Sequence, residues 1–174
     1  WQMIDGDDDN LQLMAFAGVH QNLVARKSAH RRTPAWWKGF WLSGSWGIWD
    51  MRNGLVNASL GYDFNDVHGV RLNYSYSHID SHNVVYVKKT YLNLFGLDYM
   101  MNIRNAFVGY DPHRRLNVYL FAGYSMAAHK VLDDNSIWHA HTYVGMEGGA
   151  QLELKILPWL TTFAEEKTTF LSGD

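Results

Sequence analysis

Apolar and polar residues alternate along most of this chain, and the longest alternating stretch runs from Trp138 to Ile156. One parity of the stretch carries no charge, whereas the other carries both charge signs and two histidines: His139, His141, Glu147, Glu153 and Lys155. A period of two residues is the side-chain period of a β-strand. The stretch far exceeds the ~5–6 residues of an ordinary strand. One apolar and one polar face on so long a strand predict the wall of a transmembrane β-barrel.

The alternation recurs in five further segments: residues 11–23, 40–49, 55–64, 68–78 and 116–126. Two more segments are strand-like but ambiguous. In 86–101, Asp98 shares the parity of apolar residues, and in 159–171 Glu166 interrupts the apolar parity. Glu and Lys would allow a helix over 161–171, but the threonines favour a strand. We therefore predict an all-β protein, an up-and-down antiparallel transmembrane barrel of about eight strands.

The connections between the predicted strands alternate in character, as they do in outer-membrane barrels with short periplasmic turns and longer outer loops. Tight turns are predicted at Asn65-Asp66 and Leu157-Pro158. The connections at 80–83 and 132–136 are longer and polar. The segment 105–115 is an exception, because it is long where a periplasmic turn is expected.

The whole chain, 1–174, is predicted to be a single barrel domain. Residues 1–37 either extend from the barrel or supply its first strand, and residues 25–37 are irregular. No further strand follows Leu171, so closure requires residues 11–24 to pair with 159–171, or a segment beyond this sequence.

Composition narrows the class of protein. The formal net charge of −2 gives no basic field for a nucleic acid, so no nucleic-acid partner is expected. No apolar run approaches the ~20 residues of a membrane helix. Aromatic residues reach 15 %, which suits interfacial girdles. The girdle candidates lie near predicted strand ends: Trp36, Trp37, Trp41, Trp46, Trp49 and Tyr86. A partner surface is the alternative use of these side chains.

The polar face is rich in Gly, Ser, Asn and Tyr with sparse charge, which suits a narrow lumen better than a solvent-exposed wall. The charges expected in the lumen are Arg71, Glu147, Glu153, Lys155, Glu165 and Lys167. Buried charges are expected to pair, because a lone one is costly. We therefore predict a salt-bridged plug; an ion path is the alternative.

Two groups of residues were weighed as sites of chemistry. His139 and His141 share one strand face, and His78, His82 and His129 lie near loop ends, but no third metal ligand is fixed. Ser136, His139 and Asp133 or Asp134 are the local candidates for a hydrolase site. We predict a chance grouping, with no catalytic residue, cofactor or metal. The basic stretch 26–32 is expected to be a solvated loop, with lipid phosphate, anionic glycolipid or a partner as other contacts.

Several ordered motifs resemble those of the small outer-membrane β-barrels of Bacteroides-type bacteria, related to the OmpA-type barrel. They are Gly69-Val70-Arg71-Leu72, Tyr91-Leu92-Asn93-Leu94-Phe95-Gly96, Gly109-Tyr110-Asp111-Pro112-His113-Arg114 and Ala122-Gly123-Tyr124. The glycine-rich stretch Val144–Leu154 followed by Leu160–Glu165 is similar to the penultimate strand pair of that family. The resemblance covers roughly residues 38–171. The sequence departs from the family at Tyr62-Asp63-Phe64, where Gly-Lys-Trp is usual, and no peptidoglycan-binding domain follows.

The resemblance and the alternation together predict a non-catalytic protein of the cell outer membrane. Its expected role is structural, or that of an accessory subunit of a larger outer-membrane complex, in contact with outer-membrane lipid and lipopolysaccharide. Two alternatives stay open: a lipid-modifying enzyme of the lipid A acyl hydrolase type, and a soluble lipocalin-like ligand-binding barrel.

Overall fold

A computed structural model describes residues 10–22, 39–49, 53–82, 87–111, 113–132 and 138–172. These residues form a closed barrel in which each strand pairs with the next and the last pairs with the first. Among the described residues, no helix has the length and apolar character needed to cross a membrane.

All eight strands of the barrel are antiparallel to their neighbours. They are β1 Asn10–Asn22, β2 Phe40–Trp49, β3 Asn53–Asp63, β4 His68–His82, β5 Val87–Asn102, β6 Leu116–Leu132, β7 Trp138–Leu157 and β8 Leu160–Ser172. The fold class predicted from the alternation is therefore confirmed.

The barrel closes between β1 and β8, with a register that runs from Asn10 opposite Leu171 to Gln21 opposite Leu160. Residues 11–24 thus supply the closing strand as far as Asn22, where the described part of β1 ends. The helical interpretation of residues 161–171 is wrong, because β8 is extended throughout and hydrogen-bonded on both sides.

Side chains alternate between the lumen and the outer surface as the sequence pattern predicted. On β7, Val144, Met146, Leu152 and other even-numbered residues point outward, whereas Glu147, Gln151 and Glu153 are buried. The ambiguous strand β5 points Phe95, Leu97 and Tyr99 outward and places Asp98 inside with its apolar neighbours of the same parity. On β8, Glu166 points outward.

The two ends of the barrel differ in their connections. One end, here called the turn end, carries the tight turns at residues 64–67 and 158–159. It also carries a short helix, α1 (Ile103–Val108), which was not predicted from the sequence and which overlaps the start of the long 105–115 connection. The opposite end, the loop end, carries both ends of the described chain, Asn10 and Ser172.

Among the described residues, the strands do not all reach the same height at the loop end. The described part of β8 ends at Ser172, opposite Val144, while β7 continues to Trp138. On the other side, the β3–β4 pairing begins at Leu55 opposite Ser77, while β4 continues to His82. In the described part of the chain, strands β4 to β7 therefore reach further at the loop end than the other four strands.

Candidate functional site

The lumen of the barrel is filled by side chains in three layers. An apolar layer lies nearest the loop end and contains Met14, Phe16, Leu55, Leu92, Leu94, Ala127 and Leu171. A layer of charged and amide side chains lies below it, and an aromatic group of Trp41, Met100 and Phe121, with Tyr119 against it, lies nearer the turn end. An eight-stranded barrel has room for side chains and little else. The charged layer is the candidate functional site, because it gathers the buried ionisable groups.

Arg71 on β4 is the centre of the charged layer and is only 3 % exposed. Its Nε donates to Asp98 Oδ2 at 2.9 Å, and its Nη1 donates to Gln151 Oε1 at 3.1 Å. Its Nη1 and Nη2 both donate to the Glu165 carboxylate in a two-point arrangement. The guanidinium also lies 4.5 Å from the centroid of the Phe121 ring. The fork geometry of arginine suits this arrangement, because it can serve two carboxylates at once.

Lys167 on β8 forms the second cationic centre and is 1 % exposed. Its Nζ donates to Glu147 Oε2 and to Asn73 Oδ1, both at 3.2 Å. The Nδ2 of Asn73 in turn donates to Glu147 Oε1 and Asp98 Oδ2, both at 2.9 Å. Asn73 therefore joins the lysine centre to the arginine centre in one network.

A third arm of the network reaches toward the turn end. Gln151 Nε2 donates to Glu153 Oε1 at 2.7 Å, and the same oxygen lies 3.2 Å from His20 Nδ1. The His20 ring stacks on Trp41 with centroids 4.6 Å apart. Trp41 Nε1 donates to Asp63 Oδ1 at 3.2 Å. The polar chain thus runs from the middle of the lumen to its aromatic layer.

Glycines on the inner wall make room for these large side chains. A Cβ on Gly96 would overlap Glu147 Oε1 and lie 2.5 Å from Asn73 Nδ2. A Cβ on Gly61 would overlap the Trp41 ring. The backbone of β5 and β3 can approach the network this closely only because these residues lack a side chain.

The network is arranged to close the lumen. Four buried carboxylates (Asp98, Glu147, Glu153 and Glu165) face two permanent cations and His20 across strands from different sides of the barrel. Most of their polar atoms are hydrogen-bonded, although Asp98 Oδ1 has no partner. A satisfied network of this kind holds the walls at a fixed distance.

Five charged members of the network were predicted correctly from the sequence. Arg71, Glu147, Glu153, Glu165 and Lys167 are all buried. Lys155 points to the same side but is half-buried near the turn end, and among the described residues no ion pair joins it to the network.

Four members of the network were missed: His20, Asn73, Asp98 and Gln151. The burial of Asp98 could have been predicted from the sequence. A lone acid on the inward parity requires a cation, and Arg71 is its cross-strand partner. Asn73 and Gln151 carried none, because amides are common on a polar parity.

The girdle prediction is wrong for Trp41, which is 3 % exposed and lies in the lumen against His20. Trp46 points outward and is 61 % exposed, as predicted. Trp36, Trp37 and Tyr86 lie outside the described residues, as does the side chain of Trp49. Trp41 lies on the inward parity of the 40–49 alternation, which predicts a lumen side chain. For this residue, parity is a better guide than its position near a strand end.

Among the candidates for chemistry, His129 on β6 and His141 on β7 are cross-strand partners. His141 is exposed with its ring beside Tyr143, and His129 is buried. No group of three or more metal-ligating side chains occurs among the described residues. Ser136, Asp133 and Asp134 lie outside them, as do the side chains of His82 and His139 and the basic stretch 26–32.

The apolar outer wall, the polar filled lumen and the closed antiparallel topology define a transmembrane β-barrel with a plugged lumen. A family model for the outer membrane protein beta-barrel domain matches residues 13–162. The chain belongs to this family and is a protein of the outer membrane. The soluble lipocalin-like interpretation is therefore wrong.

Comparison with solved structures finds small outer-membrane barrels. Ail of Yersinia pestis is 10 % identical, with 94 % of this chain and 99 % of that chain covered and a TM-score of 0.42. Neisserial surface protein A is 10 % identical, with 93 % and 96 % covered and a TM-score of 0.41. The N-terminal barrel of Pseudomonas aeruginosa OprF is 16 % identical, with 94 % and 98 % covered and a TM-score of 0.37. No curated protein matches the chain.

Proposed function

We propose that this outer-membrane barrel is non-catalytic and acts as an accessory subunit of a larger outer-membrane complex, with membrane integrity as its simplest structural role. The filled lumen carries the proposal. The charged network spans the interior from β4 to β8 through Arg71 and Glu165 and from β8 to β7 through Lys167 and Glu147. With the interior occupied, the surfaces left for function are the outer wall and the loops.

The outer wall supports contact with outer-membrane lipid and lipopolysaccharide. Large apolar side chains point outward around the barrel, among them Trp46 at 61 %, Leu72 at 57 % and Tyr124 at 68 % exposure. Burying such side chains in acyl chains is favourable, whereas exposing a continuous apolar band to water is not.

The motif order supports a finer assignment to the Bacteroides-type branch of these barrels. Gly69-Val70-Arg71-Leu72 opens β4 and delivers the central arginine, and Tyr91 to Gly96 ends at the glycine that makes room for Glu147. Isolation of the protein from a member of the Bacteroidota would support the assignment, and its occurrence only in other phyla would contradict it.

Co-purification tests the accessory role. Outer membranes are extracted in a mild detergent, the barrel is captured through an affinity tag, and the eluate is sized by native electrophoresis. We expect a species larger than the 20.1 kDa chain that contains another outer-membrane protein. A lone monomeric barrel under the gentlest extraction would contradict the role.

A further inference from the structure

Glu166 places a carboxylate on the outer wall at the middle height of the barrel. It pairs in register with Ala15 on β1 and Ala150 on β7. Ala150 is the midpoint of the outward residues from Val144 to Ile156. The Glu166 side chain is exposed, so in the outer membrane it faces the hydrocarbon.

Other outward-facing polar side chains have hydrogen-bond partners in the described part of the chain, whereas the Glu166 carboxylate has none. The Thr162 hydroxyl donates to Gly18 O at 3.1 Å, and Tyr74 donates to Asn93 Oδ1 at 2.7 Å. For Glu166, no hydrogen bond or ion pair occurs with any described residue. A charged group on the lipid face near the membrane middle is destabilising. Its presence there indicates a ligand supplied from outside the chain.

Small residues are the majority around Glu166 on the outer wall. Five of its outward neighbours on β7, β8 and β1 are Ala15, Ala17, Gly148, Ala150 and Ala164, and Leu13, Leu152 and Thr168 complete the ring around it. Elsewhere the outer wall carries large side chains such as Leu60, Leu72 and Phe95. Small residues allow another transmembrane wall to approach closely. We call these five residues, together with Glu166, the Glu166 face.

We propose that the Glu166 face docks a second outer-membrane β-barrel protein, different from this chain, that presents a Lys or Arg side chain from its lipid-facing wall at the same depth. The inference rests on the proposed accessory role and names its surface. A cation at that position would neutralise the carboxylate where water cannot. A second copy meeting face to face would set one Glu166 against the other, because a twofold contact repeats the same patch.

Site-specific photo-cross-linking tests the docking. A photoreactive amino acid replaces Ala17, on the Glu166 face, or Leu72, on the outward side of β4, which lies half-way round the barrel from β8. We expect the Ala17 position to capture a second barrel protein and the Leu72 position not to. In the same chain, Glu166→Gln should reduce the yield at least tenfold. The matched control Lys130→Gln alters an exposed charge at the loop end of β6 and should leave the yield unchanged.

The outcomes separate this inference from the accessory role. If the Ala17 position captures only a second copy of this chain, or captures a partner equally well with Glu166→Gln, the proposal is overturned. If a partner co-purifies but cross-links only through the Leu72 position, the proposed accessory role is supported, and the proposal that the Glu166 face is the docking surface is overturned. If no partner co-purifies at all, the proposed function itself fails.

A measurement on the purified barrel gives an independent readout. In lipid vesicles without a partner, Glu166→Leu should raise the urea midpoint of unfolding, because it removes an unpaired carboxylate from the lipid face. The same change should abolish the Ala17 cross-link in the native membrane. A lower midpoint would mean that the carboxylate serves the barrel itself, which would overturn the proposal.

Discussion

Arg71 is the residue whose loss should disturb the lumen most. It contacts two carboxylates and an amide from three other strands, all of them buried. Arg71→Met would leave Asp98 and Glu165 as uncompensated charges, and breaking a buried pair in this way costs about 3–5 kcal/mol. We expect a lower urea midpoint of unfolding in vesicles. The fraction of folded barrel at each urea concentration is measured by its gel mobility.

The matched control is Arg115→Met, because Arg115 is exposed at the turn end. It should leave the midpoint unchanged. Adding Asp98→Asn and Glu165→Gln to Arg71→Met should restore part of the lost stability, since no lone charge then remains. Equal midpoints for Arg71→Met and Arg115→Met would show that the network does not stabilise the barrel.

Gly96 and Gly44 offer a matched test of how closely the network is packed. A Cβ at Gly96 would overlap Glu147, whereas a Cβ at the outward-facing Gly44 meets nothing within 4 Å. Gly96→Ala should destabilise the barrel by about 1–3 kcal/mol, the usual effect of overpacking. Gly44→Ala should be close to neutral. The check is the same urea titration, and similar losses at both positions would argue against a tightly packed lumen.

At the residue scale, parity predicted which charges are buried but not which of them meet. The inward positions of Arg71 and Lys167 follow from a period of two. Their partners depend on the register and on the diameter of the closed barrel, which bring Glu165 and Glu147 from distant strands. The sequence of a single strand determines neither the register nor the diameter. The ion pairs between these side chains are therefore seen only in the folded structure.

At the element scale, α1 depends on one asparagine. Asn105 Nδ2 donates to Asp66 O at 2.6 Å, and Asn105 Oδ1 accepts from Arg114 Nη1 at 2.7 Å. These bonds tie α1 to the neighbouring 64–67 turn and to the chain that enters β6. Asn102 is the N-cap of the helix, and its side-chain oxygen accepts from Asn105 N at 2.9 Å.

Asn105→Ala should therefore loosen the turn end. It removes two side-chain hydrogen bonds, each contributing about 0.5–1.5 kcal/mol net. We expect a lower unfolding midpoint and faster proteolysis within residues 103–115. Arg115→Ala is the control, because among the described residues its side chain has no hydrogen bond to lose. Unchanged proteolysis in Asn105→Ala would mean that backbone contacts alone hold α1.

The elements themselves were largely predictable, because each strand carries a clear period of two. The exception is instructive. Helix α1 is six residues long and buries none of them, so no apolar periodicity could mark it. Its only local signal was the capping asparagine, which is equally common in turns. Short capped helices inside connections therefore escape pattern analysis.

At the scale of the whole molecule, the filled lumen predicts that the barrel does not conduct ions. Purified protein in planar lipid bilayers should show no discrete conductance steps, because the charged and apolar layers occupy the interior. A porin measured in the same chamber serves as a positive control. Reproducible conductance steps that Lys167→Met abolishes would contradict the interpretation of the charged network as a plug and would support an ion path.

At the loop end, β7 and β4 continue past the ends of their described neighbours. Among the described residues, β7 residues 138–143 have no β8 partner, and β4 residues 79–82 have none from β3. At ~3.3 Å per residue, the β7 overhang extends the sheet by roughly 20 Å along the strand. A strand edge of this kind accepts a further extended segment, whether from the same chain or from another. On β7 that edge lies in line with the Glu166 face.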